Sequence, residues 1–404
     1  MTTRPSLVRH GGWAFLVTAV IGRQPPAMVQ LGLLMYVAAE GLGLPLGGAT
    51  VAAVGLGTAL SATLIGRLVD AFGPLPVVAA ATVVQVSGLA AIRAATPGLV
   101  AGTVPHGVLL LMAGLCGLAN PQIGPIVRAH WSHLSRARHE PGLVGVALGY
   151  EGAMDEMSFI VGPVVASLLV AALGPGPALY TLMAIIVVGQ GVFIVHLWLA
   201  RAEWGHSPAV AGRDRAPTKL PFGALLPPMV ILLAVGVTFG SVQTALTAQH
   251  AAAGTEYLTG IIYGSVGIGS ACSSIVTPRL PPRISTATRL LFGACGLVLA
   301  GVAFSFLLSL WPALVVAILM GVGIGVVLVT GFARAEEVAP TGRIASAMTM
   351  LSMCLTLGVS FGAALAGRLS EVPARGFWPV VVSGLVAILA SRYIAHQQRR
   401  ARRG

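Results

Sequence analysis

The chain has 404 residues, of which 56% are hydrophobic and only 9% charged, and its mean hydropathy is +0.89. Soluble domains carry roughly 25% charged residues, so a soluble globular fold is excluded. The net charge of +12 forms no dense basic domain; its short clusters mark membrane topology rather than a nucleic-acid partner.

A membrane-crossing helix needs about 20 mostly apolar residues. Twelve such runs are predicted, at 12–37, 45–66, 75–95, 105–127, 143–173, 177–200, 222–248, 257–278, 288–309, 311–332, 344–367 and 374–395. The division between the ninth and tenth rests on Pro312. Arg4 and Arg9 precede the first run, which is too long for a signal peptide and has no clear cleavage site, so it is expected to stay as a span. With the N-terminus inside, the outside loops hold only Arg93, Arg368 and Arg375, and Arg23 lies within a span. The other basic residues then face the cytoplasm, a positive-inside pattern that places both termini there.

The longest polar stretch, Arg201 to Leu220, divides the chain into a first bundle at 1–200, a central cytoplasmic loop at 201–221 and a second bundle at 222–404. The two halves read alike, which predicts two pseudo-symmetric six-helix bundles with a midplane site at the repeat interface. Cys116, Cys272, Cys295 and Cys354 all lie in apolar runs without metal-ligand spacing. They read as small packing residues, with no disulfide expected.

The first and fifth runs carry the unusual chemistry. Arg23 lies near the middle of the first, followed by Gln24, Pro25 and Pro26. The prolines remove backbone donors and predict a kink. The fifth run holds Glu151, Asp155 and Glu156. Glu151 and Asp155 are four apart and share a helix face, with Glu156 about 100° round. An ionisable group at the bilayer centre costs on the order of 3 kcal/mol or more, so such residues face partners or water. A carboxyl in a poorly hydrated site can exchange protons near neutral pH. Arg23 needs a counter-ion there, and both a switchable pair and a permanent structural bridge remain open.

Between the second and third runs stands G-R-L-V-D-A-F-G, with Gly66, Leu68, Asp70 and Gly73. The fifth run continues into Gly162-Pro163. Together with the twelve spans and the central loop, these residues resemble the Major Facilitator Superfamily, whose loop motif reads roughly G-x-L-x-D-x-x-G-R/K. Here Pro74 and Leu75 replace the motif's basic residues. Gly162-Pro163 resembles the core of the family's antiporter motif without its trailing glycines. The run Asp155 to Pro163 resembles that of actinobacterial efflux-type members.

The resemblance implies a monomeric carrier in the cell membrane, working by alternating access on a small molecule. It makes the first and fifth spans neighbours, so Glu151, Asp155 or Glu156 become partners for Arg23. It also puts the first, fourth and seventh spans on the cavity, which makes Gln30, Asn120 and Gln243 candidate substrate contacts; interhelical packing is their alternative role. Asp70 caps the following helix or bridges to Arg128. Gly162-Pro163 shapes a gate or simply bends its helix. The G-x-x-x-G pairs Gly260/Gly264 and Gly358/Gly362 read as packing surfaces.

Other chemistry finds no support. There is no phosphate-cradling G-x-x-x-x-G-K-S/T or H-E-x-x-H, and His106, His196 and His250 are scattered in or near different runs, so an enzyme is not expected. His130 and His133 have metal-compatible spacing, but only Glu140 stands near to complete a set. No cofactor is expected. The expected partners are membrane lipid, protons and a small amphipathic solute, moved outward in exchange for protons; uptake of a metabolite is the alternative.

Overall fold

The computed structural model describes residues 7–138, 140–201, 221–281, 283–307, 309–340 and 344–401. They form thirteen α-helices: α1 (Leu7–Val37), α2 (Leu44–Phe72), α3 (Pro74–Val100), α4 (His106–Leu118), α5 (Ile123–Ala137), α6 (Pro141–Leu173), α7 (Pro175–Leu199), α8 (Phe222–Ala252), α9 (Tyr257–Val276), α10 (Thr286–Phe304), α11 (Leu310–Val338), α12 (Ile344–Leu369) and α13 (Trp378–Ala401). The predicted central loop lies almost wholly outside the described residues.

Ten segments among the described residues are long and apolar enough to cross a membrane, with α4 and α5 together making one of them. The helices α1 and α6 have the length but are not among the ten. They carry Arg23 on one side and Glu151, Asp155 and Glu156 on the other.

Glycine and proline set the ends. Gly73 (φ 83°) and Gly174 (φ 79°) sit in the left-handed region that favours glycine. Each donates its N–H to a carbonyl four residues back, in Val69 and Val170. Each is followed by a proline that opens the next helix, where a missing N–H costs nothing. The second glycine of the loop motif is therefore a turn residue. Pro312 lies in the first turn of α11, so the expected division between the ninth and tenth runs falls just before it.

The chain forms two compact units, Met1–Gly32 with Gly57–Ala211, and Leu33–Leu56 with Gly212–Gly404. In the first, Phe15, Leu16, Ala19, Ile123, Val127, Trp131 and Phe193 form a buried apolar cluster from α1, α5 and α7. In the second, backbones meet directly. A methyl group on Gly240 of α8 would lie 1.9 Å from the carbonyl oxygen of Val359, and one on Gly358 of α12 would lie 2.2 Å from that of Leu233. Lipid removes the hydrophobic drive for helix association, so such close approach supplies it through van der Waals contact. Gly362 belongs to the same seam, 2.3 Å by the same measure from the Val237 oxygen. Between α9 and α11 the close contacts run through Gly269, Gly321 and Gly325.

Two departures from the sequence expectation bear on the site. Backbone φ/ψ stays helical through Pro25 and Pro26; the non-helical residue in α1 is Gly12 (φ 76°). The carbonyl of Ile21, which Pro25 cannot bond, faces Gly189 on α7, where a Cβ would lie 3.1 Å away. The predicted fourth span, by contrast, is broken at Ala119–Gln122. Pro121 and Pro125 both lack the N–H that would continue the ladder. Asn120 donates instead to Gly117 at 3.0 Å, and Gln122 takes φ 51° before α5 begins.

Candidate functional site

Four charged side chains from three helices of the first unit meet within it. Arg23 reaches from α1, Arg128 from α5, and Glu151 and Asp155 from successive turns of α6. The guanidinium of Arg23 donates through Nη2 to Glu151 Oε2, and through Nη1 to Asp155 Oδ1 at 3.1 Å. Its Nη1 also reaches the Glu151 carbonyl at 3.3 Å, and its Nε the Ala19 carbonyl at 3.2 Å. Trp131 Nε1 donates to the other Glu151 oxygen at 3.2 Å. Arg128 Nη1 donates to the other Asp155 oxygen at 2.6 Å. All four carboxylate oxygens are therefore engaged, and the two cations balance the two anions.

The local sequence explains the arrangement. The i, i+4 spacing stacks Glu151 and Asp155 on one face of α6, one turn apart. The i, i+3 spacing sets Arg128 and Trp131 along one side of α5. Gly124, one turn before Arg128, leaves room for the carboxylate: a methyl there would lie 3.4 Å from Asp155 Oδ1 and 3.3 Å from Arg128 Nη2. Asp155 thus lies against the first turn of α5, where the helix dipole favours a negative charge. The break at Ala119–Gln122 creates that helix start inside the membrane segment.

The two pairs differ in access. The side chains of Arg23 and Glu151 are 4% and 1% exposed, while those of Arg128 and Asp155 are 35% and 33% exposed. Trp131, fully buried, closes the inner pair. A charge pair in a membrane segment turns its open side to water rather than to lipid. The geometry makes one locked bridge and one accessible bridge, joined through the second arm of Arg23.

Other sequence candidates take different places. Gly162 seats α6 against α1, with a virtual Cβ 2.9 Å from Ala27 Cβ, and Pro163 stays within the helix. Gln24 donates to Ser158 Oγ at 2.9 Å, a second tie between these helices. Asn120 lies in the break; its carbonyl accepts from Ser61 Oγ at 2.7 Å and its Oδ1 from the Gln122 N–H at 3.4 Å. Gln30 is half-buried, and its side chain makes no hydrogen bond among the described residues. In the second unit Gln243 is buried in α8, its Nε2 without a partner among the described residues. Gly66 and Asp70 are exposed near the end of α2. Arg128, grouped with that loop motif in the sequence, is found on Asp155. The side chain of Glu156 lies outside the described residues.

Ten segments of membrane length and apolarity among the described residues define a multi-pass membrane protein, and the first unit holds an arginine–carboxylate cluster. The chain belongs to the Major Facilitator Superfamily, whose profile matches residues 14–363. No curated protein matches the sequence. Among solved structures, a single-site mutant of the nucleoside transporter NupG aligns with TM-score 0.70 at 14% identity, covering 94% of this chain and 98% of that one. A bacterial homologue of the iron transporter ferroportin, in its inward-facing state, aligns with TM-score 0.66 at 16% identity, covering 96% and 100%. The POT family transporter PepTSo aligns with TM-score 0.64 at 14% identity, covering 96% and 98%. At these identities the likeness is one of fold. Membership of that family marks a transporter rather than an enzyme.

Proposed function

We propose that the chain is a proton-coupled secondary transporter of small organic molecules in the cell membrane, monomeric, with both termini cytoplasmic and working by alternating access. The observation that carries this reading is the accessible Asp155–Arg128 bridge beside the buried Arg23–Glu151 bridge. A carboxylate within a membrane segment that water can reach can take up a proton and release its cation, which changes the contacts between α5 and α6. The locked pair keeps α1 and α6 together meanwhile. Glu156, next to Asp155, is assigned a share in proton binding, and Gln30, Asn120 and Gln243 are assigned to the substrate.

Export of amphipathic molecules is the direction favoured by the Gly162-Pro163 resemblance. Uptake of a metabolite is a second reading, favoured by the incomplete antiporter motif, since Val164 and Val165 follow Pro163 in place of its glycines.

The experiment is dye and drug accumulation in cells lacking their own major exporters, with and without a protonophore. Lower accumulation with the wild type, abolished by protonophore and by Asp155→Asn with Glu156→Gln, is expected for export. Higher accumulation supports uptake. Normal coupled transport by the double variant overturns the proton role.

A further inference from the structure

Arg93 is a cation in a membrane-crossing helix for which the protein supplies no counter-charge. It lies in α3, seven residues before the helix ends at Val100. Its guanidinium rests against the first turn of α7, where a methyl on Gly176 would lie 3.3 Å from Nη2 and 3.4 Å from Nε. At 25 residues, α7 outruns the ~30 Å hydrocarbon layer, so its first turn marks a headgroup boundary. The Arg93 Cζ stands 5.9 Å from the centroid of the Tyr180 ring, a cation–π contact. The guanidinium makes no hydrogen bond or ion pair among the described residues; Nε is buried without a partner, and the two Nη nitrogens stay open. Of the 12 acidic residues, the side chains of Glu156, Glu203 and Asp214 lie outside the described residues, and none of the others pairs with Arg93. Glu156 stands about 17 residues, or ~26 Å of helix, before the end of α6. Glu203 and Asp214 come after α7, separated from Gly176 by the length of that span. The counter-charge of Arg93 therefore comes from outside the chain. In the proposed orientation this is the outer side, where the positive-inside bias does not account for an arginine.

The surface around it is apolar. Toward the middle of the membrane α3 exposes Ala90, Ser87 and Val83, and α7 exposes Ala184, Val187 and Val188. Helical spacing puts the first set on one face with Arg93 and the second on one face with Tyr180. Such a face suits acyl chains rather than a hydrated ion. We infer that Arg93 and the adjoining α3–α7 face bind one anionic glycerophospholipid, its phosphate on the open Nη arm and its chains along the exposed alanines and valines. The planar guanidinium matches phosphate oxygens, and an arginine near a helix end reaches for the headgroup level. Selectivity follows from charge. A headgroup with one phosphate and no amine is neutralised by Arg93 alone. A headgroup with an ammonium is already neutral in itself and leaves the arginine uncompensated, with no acid beside it to hold the amine. Lying across both helices, the lipid ties α3 to α7 within the first unit, whichever way the solute moves.

The test uses the purified full chain in a neutral detergent. It is titrated with dioleoyl phosphatidylglycerol, dioleoyl phosphatidylethanolamine and inorganic phosphate, and read by native mass spectrometry and by melting temperature. The expected result is one phosphatidylglycerol retained above nonspecific adducts, a higher melting temperature with it, and little response to the other two. Arg93→Gln should weaken that binding by ~10-fold or more, with Arg93→Lys between. Arg67→Gln removes an exposed arginine elsewhere and should leave it unchanged. Without lipid, Arg93→Gln should melt close to the wild type, because no protein group loses a hydrogen bond or an ion pair. A large loss in that lipid-free comparison assigns Arg93 to packing and overturns the inference. Equal retention by Arg93→Gln, or equal binding of phosphatidylethanolamine, also overturns it. So does an equal rise with inorganic phosphate, which marks a free-anion site rather than a lipid site. A lipid-free dimer that Arg93→Gln separates gives the counter-charge to a second copy and overturns it as well.

Discussion

Glu151 and Asp155 carry the same charge one helical turn apart, yet their surroundings divide their roles. Glu151 is sealed between Arg23 and Trp131, so Glu151→Gln removes the buried anion of that pair and leaves Arg23 with Asp155. Breaking a buried pair from one side costs about 3–5 kcal/mol, and a lower melting temperature in detergent is expected. Asp155→Asn acts on a group one-third exposed, and its loss in the same assay should be the smaller of the two. Equal losses would remove the distinction between locked and accessible bridges. Trp131→Phe keeps the apolar contact with Phe15 but deletes a hydrogen bond to a charged group, for a loss of about 1.5–3 kcal/mol. Part of this cluster was legible in the sequence. The four-residue spacing put both acids on one face, and an arginine inside a span demanded a counter-ion. Arg128 and Trp131 were not legible as partners. Arg128 lies near the end of an apolar run, where an arginine reads as a topology signal, and a tryptophan there reads as packing. Only the path of α5 against α6 shows which way they turn.

At the scale of elements, apolar runs predicted the helices, and the Gly-Pro boundaries placed several ends. The break between α4 and α5 was hidden because the run at 105–127 is apolar on average; its signal was Asn120-Pro121-Gln122 and the second proline at Pro125. The break has a conformational cost, since Gln122 adopts φ 51°. Left-handed backbone costs a residue with a Cβ roughly 1–2 kcal/mol, and glycine escapes it. The side chain gives little back, for its contact to the Thr58 carbonyl is 3.5 Å. Gln122→Gly should therefore raise the melting temperature; a fall would mean that the side chain holds the break. In the second unit the α8–α12 seam makes a sharper prediction. Gly240→Val would press into the Val359 carbonyl, and overpacking costs about 1–3 kcal/mol or more. Folded yield, read by size-exclusion chromatography, should drop. Gly66→Ala, with nothing within 4 Å of its virtual Cβ, should leave the yield unchanged.

For the whole molecule, the open question is whether the charged helices cross the membrane as the apolar ones do. The sequence predicts twelve spans, ten segments among the described residues have the required length and apolarity, and α6 must cross despite its acids. Its three carboxyls would be prohibitive if each faced lipid. Two of them instead lie on arginines within the first unit, so their cost is met before the helix contacts the bilayer. If α6 crosses, the segments on either side of it lie on opposite faces of the membrane. Single cysteines at Thr103, Arg138 and Pro177, all exposed, test this in a background with the four native cysteines replaced. Thr103 precedes the α4–α5 segment, Arg138 lies between that segment and α6, and Pro177 follows α6. Thr103→Cys and Pro177→Cys should react with an impermeant maleimide in intact cells, and Arg138→Cys only after permeabilisation. Labelling of Arg138→Cys and Pro177→Cys from the same side would mean that α6 does not cross. The accessible bridge would then lie outside the hydrocarbon, where ion pairs are worth little and a proton carried by Asp155 would go nowhere. The opposite outcome places Asp155 about 14 residues, or ~21 Å of helix, from the start of α6, at a depth where taking up a proton can be tied to moving a solute.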